Sequence, residues 1–433
     1  MTLLKNNMRQ FINDDNQFKD GILAFDKRNE VKLYKIHNTS EDSRIYSYLI
    51  LDFKLPKDIH FKDFSIEQSI EVDIDISTES GQSVKKAYVS PVKMPERINY
   101  INSHYFTLGL SAICSFAFER PVFSTKNDYY NRFEVANQYE LKEIGVEFPR
   151  TIRGPGAKGF MVHNEIIDIW EKRLIEVVNL LDKLTSSESK EYEVSYENLM
   201  QSFRLIQLGH INKKEDFDLG FSFIIAGIEA ISQIAIDKID FSNKPELYSE
   251  WKKLSNTNEI ARSLFEEYLK VQAYVNSEIN NRDLTKRFVK FLITYTKNSD
   301  WAEVLYNELI TEGLKYRMLF PNEISVVPEL KPNKLTEDEF SIIIKNTYNL
   351  RSKFFHMGQS LPHKSTNNSS NNRFFHIIDN IKRREKLFMK MEKETRVESP
   401  YEEWTTTQDT LITFELMSNM ARNSIINYIK KVL

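Results

Sequence analysis

Hydrophobic and polar positions follow two different rhythms along this chain. Between residues 30 and 95 the pattern reads as strands. Ile70, Val72, Ile74 and Ile76 alternate with Glu71, Asp73, Asp75 and Ser77, a period of two that marks a half-buried strand with one wet face. Ser80–Gly81 is a turn signal, and Val84–Val89 suits the returning strand. Arg44–Leu55 is β-branched and aromatic, which suggests a further strand in a small antiparallel sheet.

After Pro121 the rhythm changes. From about Glu165, Ile166, Ile169, Trp170, Leu174, Val177, Leu181 and Leu184 step by three and four, which predicts a helix. A charged break at 186–193 follows. The pattern then predicts helices over Tyr196–Ile211 and Phe217–Asp237, the second apolar nearly all round and therefore central to a bundle. Further helices are expected at 258–280, 282–297, 301–314, 335–357 and 409–432. Lys364–Arg373 is polar and of low complexity, so a mobile loop is expected near 360–373. The fold class expected is α+β. A β-rich N-terminal domain (1–125) and a helical connector (126–193) precede a larger all-α domain (194–433).

The totals narrow the class. The chain has 433 residues, 41% hydrophobic and 28% charged, which is ordinary globular composition. A single cysteine, Cys114, excludes an intramolecular disulfide and suits a reducing compartment. The N-terminal residues lack an apolar signal-like run, and the apolar stretch at 219–236 carries Glu229 at its middle, so a cytoplasmic protein without a membrane span is expected. The net charge of −3 does not advertise nucleic-acid binding, although local patches can grip a few nucleotides. Candidate patches are Arg150/Arg153/Lys158, Lys286/Arg287/Lys290 and Lys382/Arg383/Arg384; the bland reading of each is a solvated face. Walker A, zinc-ligand and nucleophile-elbow spacings are absent from the sequence, and neither a cofactor nor a metal is expected. Gly154–Gly159 fits a glycine-rich spacing, but Pro155 removes an amide and no clear strand precedes it, so it reads as a connecting loop.

The helix expected at 335–357 is clearly punctuated. Thr336 and Glu339 form a capping box, and Gly358 stops the helix. Phe340, Ile343, Ile344, Thr347 and Leu350 make its packing face. Near its end stand Arg351 and His356, with Ser352 beside them. An imidazole can take the proton from a ribose 2′-hydroxyl or protonate the leaving 5′-oxygen, and a guanidinium can fork onto the phosphate as charge develops. Such cleavage needs no metal and leaves a 2′,3′-cyclic phosphate and a 5′-hydroxyl. The bland reading of His356 is a helix-end histidine bonded to a carbonyl. Residues five apart on a helix differ by about 140° in direction, so a local bend or a second copy is needed to bring this pair together. The same spacing also fits Arg97/His104 and Arg204/His210, so spacing alone carries no weight. Glu229, inside an apolar helix, needs a partner: a neighbouring Arg or backbone amide on the structural reading, or an orienting role toward Arg351 or His356 on the sharper one.

The run Tyr348-Asn-Leu-Arg-Ser-Lys-Phe-Phe-His-Met-Gly358 resembles the signature helix of HEPN domains, particularly ApeA-like and abortive-infection members, and Gly227-Ile-Glu-Ala-Ile231 is similar to their upstream helix segment. The resemblance covers about 194–433. Met357 stands between His and Gly, and Ser352 takes a place where Asn, Asp or His is common. The resemblance implies a metal-independent endoribonuclease acting on single-stranded or tRNA-like RNA. It implies a homodimer with the Arg–His helices at its interface, and a role in anti-phage defence or as a toxin. The N-terminal domain would be a sensor or regulator of a phage or regulatory protein trigger. The rival reading is a non-catalytic RNA-binding or dimerising scaffold module.

Overall fold

The computed structural model describes residues 18–28, 45–78, 81–98, 100, 103–146, 164–186, 190–213, 215–237, 245–297, 300, 336–358, 374–376 and 410–433. It is a mixed α and β structure with its antiparallel sheet in the N-terminal part, which agrees with the expected α+β layout.

A helix over 18–25 (α1) precedes β1 (Tyr46–Leu51), β2 (Ile59–His60), β3 (Ser65–Ile66), β4 (Ile70–Thr78) and β5 (Gly81–Lys93). The alternation at 70–77 becomes β4, with Val72 and Ile74 buried and Asp73 exposed. The returning strand β5 is longer than its hydrophobic run. It pairs with β4 from Ile70↔Val89 to Thr78↔Gly81, and with β3 through Ser65↔Lys93 and Ile66↔Val92. Its other edge pairs with β1, which also pairs with β6 (Val122–Ser124). Strand β1 is apolar on both sides because both of its faces are covered. Leu49 and Leu51 point into the main core, while Tyr48 and Ile50 join Val72, Val89, Leu141 and Ile144 in a smaller one. The smaller core is closed by α3 (Gln138–Val146).

The apolar run at 106–118 forms α2 (Ser103–Phe118), almost wholly buried against β1, β6 and the helices that follow. Those it packs on are α4 (Asn164–Ser186) and α5 (Lys190–Asn212), and after them come α6 (Phe217–Ala235), α7 (Tyr248–Ser255), α8 (Glu259–Tyr295), α9 (Glu337–Met357) and α10 (Phe414–Val432). A two-stranded ribbon, β7 (Phe374–His376) with β8 (Thr410–Ile412), lies between α9 and α10 in sequence. One hydrophobic core runs through sheet and helices alike, from Phe18 through Leu49, Phe106 and Phe221 to Ile429.

Helices α5 and α6 touch backbone to backbone. A Cβ on Gly220 would sit 2.8 Å from the Gly209 carbonyl oxygen, and one on Gly209 would sit 2.6 Å from Ile224 Cδ1. Ser202 Oγ donates to the Gly227 carbonyl at 2.8 Å in the same seam. Helix α6 is long and apolar enough to cross a membrane, and its buried residues pack against α5, α8, α9 and α10.

Two expectations are corrected, and one helix is new. The charged break expected at 186–193 is partly helix, since α5 begins at Lys190. The helices expected at 258–280 and 282–297 are one continuous α8. Asp283, inside the second of the two expected helices, pairs with Arg287 one turn on at 3.9 Å. Arg287 Nε donates to the Ile236 carbonyl at 2.8 Å, and its Nη2 donates to the Gln233 carbonyl, so this side chain holds the C-terminus of α6. Helix α7 was not foreseen. It folds back on the first part of α8 through Tyr248, Trp251, Phe265 and Tyr268. The helix expected at 301–314, the loop near 360–373, Gly154–Gly159 and the patches Arg150/Arg153/Lys158 and Lys382/Arg383/Arg384 lie outside the described residues.

Candidate functional site

Helix α9 carries the site, and its boundaries are set by its caps. Thr336 Oγ1 accepts from the Glu339 N–H at 3.3 Å, and Glu339 Oε2 accepts from the Thr336 N–H at 2.8 Å. Gly358 takes the left-handed conformation (φ 63°, ψ 20°), and its N–H donates to the Phe354 carbonyl at 3.0 Å. Phe340, Ile343, Ile344, Thr347 and Leu350 are buried as their spacing requires. Thr347 Oγ1 also accepts from the Ile412 N–H at 3.1 Å, which ties α9 to β8.

Glu229 and Arg351 meet. Arg351 Nη2 lies 3.2 Å from Glu229 Oε2, so two segments more than a hundred residues apart converge on one ion pair. The carboxylate is buried and has further donors: Tyr348 Oη donates to Oε1 at 2.8 Å, and Gln233 Nε2 approaches it at 3.4 Å. This arrangement answers the cost of an acid inside an apolar helix. Burial raises the Tyr348 phenol above its ordinary value, and the Glu229 charge and hydrogen bond add to the rise, while Arg351 opposes it. Tyr348 therefore stays protonated and keeps donating. Arg351 also stacks its guanidinium over the Phe355 ring, 4.9 Å from the centroid. Its Nε has no hydrogen-bond partner among the described residues.

His356 is exposed at the end of α9, and among the described residues nothing hydrogen-bonds its ring. The helix ends regularly, without the bend that would swing His356 toward Arg351. Arg351 lies on the buried side of α9 with Tyr348, and His356 is about 140° round the axis from it. Within one chain these two side chains are therefore not brought together. Ser352, half-buried, shares the outer face with His356.

The other two Arg–His pairs have packing roles. Arg97 Nη1 donates to the Ala24 carbonyl at 2.7 Å, and Nη2 donates to Phe25 at 3.3 Å, holding the end of α1. His104 is buried in the first turn of α2. Arg204 Nη1 bonds Gln207 Oε1 at 2.7 Å. His210 is buried against Phe414, with Nε2 3.0 Å from Ser418 Oγ, and burial pushes its pKa down to about 3.

In the patch at 286–290, Arg287 is buried at the end of α6, whereas Lys286 and Lys290 are exposed. They line a groove between α8 and α9, with Lys345 on the opposite wall. Sequence reasoning missed Lys345 as a partner for this patch because the two lie on different helices. Among the described residues no three His, Cys, Asp or Glu side chains cluster closely enough to hold a metal.

No family model matches the chain, and no curated protein or solved structure is significantly similar to it.

Proposed function

We propose that this chain is a metal-independent RNA endonuclease of HEPN type, acting in the cytoplasm in anti-phage defence or as a toxin effector. The observation that carries the reading is the Glu229–Arg351 ion pair. The resemblance rests on two segments, and their most distinctive residues are the ones that bond. The exposed His356 at the glycine-stopped end of the same helix, without a hydrogen-bond partner among the described residues, adds to it. In this reading Glu229 and Phe355 position Arg351, whose guanidinium steadies the charge on a scissile phosphate. His356 takes the proton from the 2′-hydroxyl, whose oxygen attacks phosphorus as the bond to the 5′-oxygen breaks, and the leaving 5′-oxygen takes a proton from water to become a 5′-hydroxyl. Because Arg351 and His356 diverge within one chain, the working site is assembled between two copies, Arg351 of one facing His356 of the other. The exposed Phe355 and Met357 beside His356 give that contact apolar surface. The N-terminal sheet region regulates the nuclease in response to a phage or regulatory protein.

One observation favours the rival reading, a non-catalytic RNA-binding or dimerising scaffold: the charge of Arg351 is already engaged by Glu229. Incubating purified protein with total RNA and tRNA in EDTA, wild type beside His356→Ala and Arg351→Ala, discriminates the two. Cleavage lost in both variants supports the nuclease. Cleavage that survives His356→Ala removes that assignment, and RNA binding without cleavage supports the scaffold.

A further inference from the structure

The groove between α8 and α9 encloses about 650 Å³. Its floor is aliphatic, made by Val289 and Ile293 from α8 and Ile342 from α9. Lys286, Lys290 and Lys345 rise along its edges, all exposed, and none has an ion-pair partner among the described residues. Among the described residues no acid lines the groove. Lys286 and Lys290 are one turn apart, about 6 Å along the axis. On α9, Lys345, Asn349, Ser352 and His356 follow at steps of four, three and four, which places them on one outward face. That face borders the groove at Lys345 and Asn349 and ends at His356.

We infer that this groove is a binding track for single-stranded RNA, leading its backbone along α9 to His356. The inference rests on the nuclease reading of that histidine and extends it to residues outside the Arg–His pair. Exposed lysines on both walls suit a polyanion that runs between them. Among the described residues the lining holds no aromatic ring on which a base could stack, so the grip is on phosphates. An acidic peptide is the less favoured occupant, because the polar stripe continues without interruption to a side chain suited to phosphodiester chemistry.

Fluorescence anisotropy of a labelled oligouridylate, in EDTA and on a His356→Ala background that prevents turnover, tests the track. The substitutions Lys286→Gln, Lys290→Gln and Lys345→Gln together should weaken binding at least tenfold at roughly 50 mM salt. They should also make the slope of log affinity against log salt shallower by about 2, since each phosphate contact on a single strand contributes about 0.7. A control with the same charge change elsewhere, Lys54→Gln with Lys252→Gln and Lys253→Gln, should leave both values unchanged, and polyglutamate should not displace the RNA. The track is overturned if the unsubstituted groove binds no RNA or if the groove variant behaves like the control. It is also overturned if polyglutamate competes and loses its binding to the same three substitutions. Binding is read separately from cleavage. His356-dependent cleavage with an inert groove refutes the track alone, and groove-dependent binding with His356-independent cleavage refutes the nuclease site alone.

Discussion

Glu229 is a buried acid whose carboxylate, among the described residues, is held by side chains, and it joins α6 to α9 through Tyr348 and Arg351. Replacing it with Gln keeps the shape and removes the charge that holds the guanidinium. The expected outcome is a folded protein whose RNA cleavage falls at least tenfold; unchanged activity would count against a positioning role. His210 makes a different prediction. Its folded pKa, about 3, lies below the ordinary value of 6.5, so the unfolded chain binds the extra proton between those values. Its share of stability is present above pH 6.5 and is lost progressively as pH falls toward 3. Between pH 7 and pH 5 the loss is about 2 kcal/mol. Chemical denaturation at the two pH values should show that loss in wild type, and a smaller one in His210→Phe. At this scale the sequence displayed the partners without their pairing. An acid in an apolar helix announces that it needs a donor, and helix arithmetic already separates Arg351 from His356. The burial of Arg287 was hidden, because a basic run on a polar helix looks the same whether solvated or folded inward.

The elements owe their arrangement to a few close contacts. Where α5 crosses α6, Gly209 and Gly220 leave no space for a side chain. Gly220→Ala would push its Cβ against the Gly209 carbonyl oxygen, and the helices would have to part. Overpacking of this kind costs roughly 1–3 kcal/mol, which should appear as a fall in melting temperature of several degrees. A melting temperature equal to wild type would refute the tight crossing. Strand β4, helices α4, α6 and α9, and the caps of α9 were legible because each has a sustained period or a paired start and stop signal. Helix α7 was not, since eight mostly polar residues give too short a window. The continuity of α8 was not legible either, because Asn280 and Asn281, at the junction of the two expected helices, have weak helix propensity.

At the scale of the whole molecule, the change from strand to helix pattern after Pro121 does not divide the core. Glu119, at the end of α2 and in a left-handed conformation (φ 56°), accepts from Arg173 of α4 and from Asn419 and Arg422 of α10. The end of α2 is thereby bonded directly to α4 and α10. If the working site combines two copies, mixing Arg351→Ala protein with His356→Ala protein should restore cleavage, because one of the two sites in the mixed pair is intact. Activity that stays absent in mixtures shown to exchange subunits would contradict the shared site. The most direct measurement of the central claim is the end chemistry of tRNA fragments made by the purified chain in EDTA. The account predicts 2′,3′-cyclic phosphate and 5′-hydroxyl ends that disappear with His356→Ala. Ends bearing a 5′-phosphate, or undiminished cleavage by a folded His356→Ala protein, would contradict it.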